Sequence, residues 1–416
     1  MEKEIVYLYQ KVLQEMDNLN KQNNPISDAK KMQALYDAAP YSEVLNAGMQ
    51  QSTPLLINWI NAVCDPGQKA LSPHSRILVA GCGAGEEVFM LAQLFPNATI
   101  VGVDFSPRSI EKAKEKAKDF PFQNVTLEIA DLMSVQWTKK FKPFDFIICR
   151  GVADYVSDPD QLMKTLTLCL QTNGVLCMMM NTPFHPARIV RKAFADLGIR
   201  PDEFTDSEYQ RKLLQQVEVL MSSNSNLQGF SNAPKTYLDV DFFPSIAHHD
   251  PLETWIDRGR AAELVFAGSM DAPIDLLKVF DDVIPILYKF GKAELSLWFA
   301  NLSQRPGIQI LFRKVQRSEP VFKDLNQLWE WKPILDESLG NLPIMNVDLD
   351  LPQNITLRFH GLPDFVINCK AYDIEVLRRC DGHTSLKTIQ SMMNANGDLE
   401  SLRATLFRAY HYALIS

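Results

Sequence analysis

The sequence predicts an α/β fold: a doubly wound, seven-stranded, mainly parallel sheet with helical lid insertions and a small C-terminal α+β module. Three observations carry this expectation. Short apolar runs alternate with segments of helical periodicity between Ser75 and Asn181. Such runs suit parallel strands buried between two helical layers. The first run breaks into glycines and the second closes on an aspartate, the layout of a ligand-binding strand–turn–helix unit. The composition, 46% hydrophobic and 22% charged over 416 residues, is that of a globular chain large enough for more than one unit.

Residues 1–70 read as an N-terminal helical cap, starting with EKEIVYLYQKVLQEM. Residues 71–315 read as the main domain. Its strands are expected at SRILVAG (75–81), ATIVGVD (98–104), VTLEIAD (125–131), FDFIICRG (144–151) and NGVLCMMMN (173–181), and then at AELVFAG (262–268) and IQILFRK (308–314). Between the early strands, GEEVFMLAQLF is amphipathic and stops at Pro96. The next helix opens on Ser106-Pro107, a capping residue followed by a proline suited to the first helical position. Ser157 is the expected cap of the helix SDPDQLMKTLTLCL. Helical insertions are expected at about 183–250 and 271–303. Residues 316–353 read as a connector whose Trp329 and Trp331 serve packing, and 354–416 as the small module.

Composition narrows the function classes. The formal net charge is −8, and the densest basic stretch, Arg108 to Lys118, is interleaved with Glu111 and Glu115. A nucleic-acid partner would call for a basic face, so this balance argues against one. No stretch approaches the ~20 apolar residues of a membrane-spanning helix, and the charged start lacks a signal-peptide core. No membrane partner and a cytoplasmic location are therefore expected, with a homodimer allowed. The seven cysteines are scattered without a C-x-x-C pair. His248-His249-Asp250 does not compose a metal site, because adjacent side chains on an extended segment point apart. No metal is expected.

The chemistry concentrates at the first turn, Gly81-Cys82-Gly83-Ala84-Gly85. Glycines there let the backbone approach a ligand closely. Asp104 closes the second strand, where a carboxylate can accept hydrogen bonds from both hydroxyls of a ribose. Glu86 and Glu87 open the following helix and put two carboxylates where a pyrophosphate would otherwise sit. They disfavour a phosphate ligand and suit a cationic one.

In this order and register the motifs resemble those of the class I S-adenosylmethionine (SAM)-dependent methyltransferases, which share a Rossmann-like fold. ILVAGCGAG resembles the family's glycine-rich motif, and VGVDFSP its ribose motif. IADLMS is similar to the third motif, and FDFIICRGVADYVSDP to the fourth. The resemblance implies SAM as cofactor, held by Gly81, Cys82, Gly83, Gly85, Asp104, Phe105, Asp131 and Leu132. Arg150 and Glu86 are candidates at the methionine end. Val79 departs from the pattern, because many members carry an acidic residue there.

Methyl transfer needs alignment above all, and a base only where the acceptor is protonated. Asp154, Tyr155, His185, His248 and His249 are the candidates for base or acceptor contact. The acceptor is expected to be an O, N or C atom of a small molecule or natural-product peptide. A protein methyltransferase and a catalytically silent SAM-binding regulator are the alternatives. Residues 372–389, YDIEVLRRCDGHTSLKTI, resemble peptide-chaperone or winged-helix-like modules of natural-product pathways, which would make a peptide the acceptor.

Overall fold

The computed structural model describes residues 28–38, 60, 71–119, 122–196, 207–220, 230–232, 238–270, 276, 279, 281–315, 320, 322–335, 355–358, 366–369, 371–393 and 399–411. The helix expected before residue 28 and most of the connector lie outside the described residues.

The first described element is α1 (Asp28–Ala38). The alternating unit follows: β1 (Arg76–Ala80), α2 (Glu86–Leu94), β2 (Thr99–Asp104), α3 (Pro107–Ala117), β3 (Val125–Ile129), β4 (Phe144–Arg150), α4 (Pro159–Cys169) and β5 (Leu170–Asn181). Next come α5 (Pro186–Asp196), α6 (Ser207–Leu220) and a single π-helical turn at Leu238–Phe242. Then come α7 (Leu252–Ala261), β6 (Val265–Ser269), α8 (Lys292–Ser303) and β7 (Gly307–Arg313). The strands form one seven-stranded sheet in the order β3-β2-β1-β4-β5-β7-β6. Strands β1 to β5 pair in parallel, while β7 runs antiparallel to both β5 and β6. The expected doubly wound, mainly parallel sheet is thus present, its strand order reversing between β1 and β4.

Local sequence explains the elements. Ser106 caps α3 by accepting from the Ser109 amide, with Pro107 at the first position. The cap of α4 is Asp158, which accepts from the Gln161 amide. The expected Ser157 is displaced by a residue whose carboxylate is the better acceptor at a helix N-terminus. Along β1, Ile77 and Val79 face one helical layer while Leu78 and Ala80 face the other, which is why the strand reads as continuously apolar. One layer carries α2, α3 and α8. The other carries α4, with Leu162, Met163 and Leu166, and α7, with Leu252 and Trp255.

The C-terminal residues are built into this core. A β-hairpin of β8 (Ile355–Arg358) and β9 (Val366–Cys369) precedes α9 (Ala371–Leu377), α10 (Leu386–Met393) and α11 (Leu399–His411). Phe407 of α11 is fully buried and packs edge-on against Tyr288, ahead of α8, and Phe322 of the connector. Trp331 meets Phe322 and Tyr410 edge-on, which gives the connector aromatic its packing role. Lys292, at the start of α8, lies buried with its ammonium over the Tyr410 ring. Ile374, Val376, Leu377 and Cys380, all within the segment singled out for its resemblance to peptide-chaperone modules, are buried in the same cluster.

A shared core predicts shared unfolding. Phe407→Ala removes a fully buried ring and is expected to cost about 3–5 kcal/mol. In denaturant, tryptophan fluorescence and far-ultraviolet circular dichroism should shift together in one transition. Separate transitions, with only one moved, would show that the module unfolds alone.

Candidate functional site

A cavity of about 380 Å³ opens at the carboxyl ends of β1, β2 and β4, where the strand order reverses. Open α/β sheets bind ligands at that place. Its floor is the glycine turn. Gly81 holds φ at +75°, and a Cβ there would lie 2.2 Å from Cγ2 of Val152, so any other residue would be strained and would displace the Val152 side chain. Gly85 caps α2 at φ +90°, and an added Cβ would meet Phe89 and Ala113. Gly85 is not among the lining residues: it shapes the turn, whereas Gly81, Cys82 and Gly83 face the cavity.

Asp104 ties this turn to β2. Its Oδ2 accepts from the Gly83 amide and its Oδ1 from the Ser106 amide, both at 2.9 Å. Burial pushes its carboxyl pKa up, and these backbone amides pull the other way. The carboxylate lines the cavity. Asp131, past β3, accepts from the Met133 amide through Oδ1, and Leu132 and Met133 add apolar wall. Phe105 lines the cavity, and α1 covers it from above. Gln33 donates to the Phe105 carbonyl, the Tyr36 ring meets the Phe105 ring edge-on, and the Ser106 hydroxyl donates to Asp37. Met32 and Tyr36 of α1 thus roof the cavity.

The two carboxylates of the first α2 turn are both paired. Glu86 bonds Lys116 of α3, and Glu87 bonds Arg150 at the end of β4, at 3.1 Å. Arg150 also reaches the Met179 sulfur. The Glu87–Arg150 pair puts opposite charges side by side on the cavity wall.

The candidates at the β4–β5 end separate. Tyr155 and His185 line the cavity; Asp154, His248 and His249 do not. Asp154 is buried, its Oδ2 accepting from the Asn181 amide, and its pKa is raised strongly by burial. It holds the end of β5. The His248 ring Nε2 bonds the Val156 carbonyl at 2.9 Å, and its amide bonds the Asp154 carbonyl, strapping the β4 turn. His249 stacks on His185 from behind, with ring centroids 5.4 Å apart. The His185 Nδ1 accepts from the Ala187 amide, and burial pushes its pKa down to about 4.

Sequence reasoning passed over three contributors. Tyr155 donates to Asp241 of the π-helical turn at 2.5 Å and accepts from the Asn181 side chain at 3.1 Å. Asp241 and Asn181 both line the cavity, as does Tyr36. The signal for Asp241 was present in LDVDFF, where two carboxylates interrupt an apolar run. A charge is rarely buried without a partner or a task.

A family model described as a methyltransferase domain matches residues 71–197. An uncharacterised protein of Rickettsia prowazekii is 31% identical over 110 residues, covering 26% of this chain and 43% of that protein. A trans-aconitate 2-methyltransferase of Variovorax paradoxus is 30% identical over 110 residues, covering 26% of this chain and 40% of its own length. The chain therefore spans less than half the length of these curated relatives. Among solved structures, PKMT2 of Rickettsia typhi aligns with a TM-score of 0.55 at 16% identity, over 88% of this chain and 75% of that one. It has also been solved in complex with AdoHcy, and that structure aligns with a TM-score of 0.54 at 17% identity, over 87% of this chain and 75% of that one.

Asp154 yields a test of the site's electrostatics. Its folded pKa lies above the unfolded value of about 3.9, so the folded chain keeps a proton that the unfolded chain releases. Its contribution is fully present below pH ~4 and is lost as pH rises toward the folded value. Asp154→Asn removes this dependence. Thermal midpoints should shift in favour of the variant between pH 4 and pH 8. A difference that stays constant with pH would show a carboxylate already ionised in the fold.

Proposed function

We propose that this chain, whose residues 71–197 carry a class I methyltransferase domain, transfers a methyl group from SAM to a neutral or cationic acceptor. The observation that carries this reading is the buried Asp104, oriented by the Gly83 and Ser106 amides beside a glycine turn. Its two oxygens match the two ribose hydroxyls of a nucleoside.

The rest of the donor set fits SAM. Asp131, Leu132 and Phe105 would hold the adenine end under Met32 and Tyr36. The paired Glu87 and Arg150 offer an acceptor and a donor of opposite charge to the amino-acid end, which is a zwitterion. When bound, the sulfonium supplies an activated methyl group. The chain's part is to align the acceptor with it and to keep water out. The α1 roof and the π-helical turn close over the β4–β5 end, where Tyr155, Asn181 and His185 stand.

Charge narrows the acceptor. Glu86, Glu87, Asp104, Asp131 and Asp241 line the cavity, against Arg150 as the cation on its wall among the described residues. A polycarboxylate acceptor of the trans-aconitate kind would meet repulsion here rather than a basic clamp. An amine, hydroxyl or activated carbon meets none.

Titration calorimetry with SAM tests the reading, with Asp104→Ala as the contrast. Binding should weaken at least 100-fold, about 3 kcal/mol. Methyl-labelled SAM incubated with fractionated extract of the source organism should then label a fraction in the presence of wild type only. Equal affinity in the variant would contradict the placement of the nucleoside.

A further inference from the structure

We propose that Tyr155 and Asp241 form a proton relay that takes the proton from the acceptor during methyl transfer, Tyr155 as the contact and Asp241 as the final base. The proposal rests on the methyl-transfer reading above. It follows from what each group at the β4–β5 end can do.

Three of the sequence candidates are committed elsewhere. The Asp154 carboxylate lies outside the cavity and holds the Asn181 amide. The His248 ring is turned to the Val156 carbonyl, and His249 lies behind His185. His185 does line the cavity, but its Nδ1 accepts from the Ala187 amide. Its ring proton is therefore on Nε2, which makes the ring a hydrogen-bond donor rather than a base. Its burial also disfavours a second proton.

Tyr155 is placed differently. A phenol oxygen has one proton and two lone pairs. Its proton is given to Asp241 at 2.5 Å, and one lone pair receives an N–H of the Asn181 side-chain amide at 3.1 Å. One lone pair remains for a hydrogen on the acceptor. The Asn181 contact also sets the hydroxyl so that its proton points at Asp241. Asp241 is held on one turn of π-helix, a feature that recurs at functional sites.

The step balances. The acceptor's electron pair, a lone pair on nitrogen or oxygen or a π pair on an activated carbon, forms the bond to the methyl carbon, and the carbon–sulfur bond breaks with its pair on sulfur. The acceptor's proton moves to the Tyr155 oxygen as the Tyr155 proton moves to Asp241. Positive sulfonium and negative Asp241 become neutral thioether and neutral carboxylic acid. Asp241 returns its proton to water when product leaves. The relay implies an acceptor whose attacking nitrogen, oxygen or carbon carries a proton. A carboxylate ester would need no such device.

The test uses the full chain, methyl-labelled SAM and the extract fraction that wild type labels, supplied as a dilution series. Asp241→Asn should lower kcat by at least 100-fold, within the range of general-base catalysis. The half-saturating amount of that fraction and SAM binding by calorimetry should stay within threefold. Tyr155→Phe, which keeps the ring in the Met32–Val240 cluster, should show the same pattern, and Asp241→Glu should recover part of the rate. The label should survive alkali. Retained kcat in either variant, a loss confined to half-saturation, or alkali-labile label would overturn the relay while leaving methyl transfer standing. SAM binding without label in any fraction, or no SAM binding at all, would overturn the methyl-transfer reading itself, and the relay with it.

Discussion

The Asp104 carboxylate is the interaction on which the rest of this structure depends. It sits at the carboxyl end of β2, buried, and spans the gap to the next turn over through the Gly83 and Ser106 amides. Taking an ionised carboxylate out of water is costly unless donors replace the lost hydration. Here the donors are backbone groups of two different turns, so the charge that needs them also holds them together. A bulkier residue at Gly81 would strain this turn and displace the Val152 side chain. Sequence, backbone conformation and site electrostatics therefore meet at a single side chain.

The cover of the cavity is anchored at the same junction. Helix α1 comes from far upstream in the chain, yet its Gln33 and Asp37 bond Phe105 and Ser106, the two residues after Asp104. Whatever positions the β2 turn also positions the roof. At the other end, the β4 turn is fixed by Asp154 and by His248, each acting through a backbone group. Rigid anchoring on both sides leaves Tyr155 between them with its hydroxyl already committed in direction. Pre-set geometry of this kind suits a displacement reaction at carbon, where alignment of the reacting groups supplies much of the rate.

Much of this was legible in the sequence, and the legible part has a physical reason. Parallel strands buried on both faces must be apolar throughout, so β1, β2 and β4 announced themselves, and the turn glycines and Asp104 followed at fixed offsets. The helix cap at Ser106 was readable because capping is local, within three residues. What was not legible depends on chain segments meeting across long separations. Asp241 and Tyr155 are bonded though far apart in sequence, and nothing local to either names the other. Asp154 and Tyr155 looked equivalent in sequence, but a single 3₁₀ turn sends one side chain into the core and the other to the cavity. The same limit applies to the C-terminal residues, whose buried apolar positions read as a separate small module yet join the core beneath α8.

A crystal structure of the chain soaked with S-adenosylhomocysteine would locate the nucleoside relative to Asp104. The two ribose hydroxyls should lie within hydrogen-bonding distance of the two Asp104 oxygens, with the Gly83 and Ser106 amide bonds intact. The amino-acid end should lie against Glu87 and Arg150. A nucleoside bound elsewhere, or an Asp104 side chain that leaves both amides to reach it, would contradict Asp104 as the pre-set ribose acceptor.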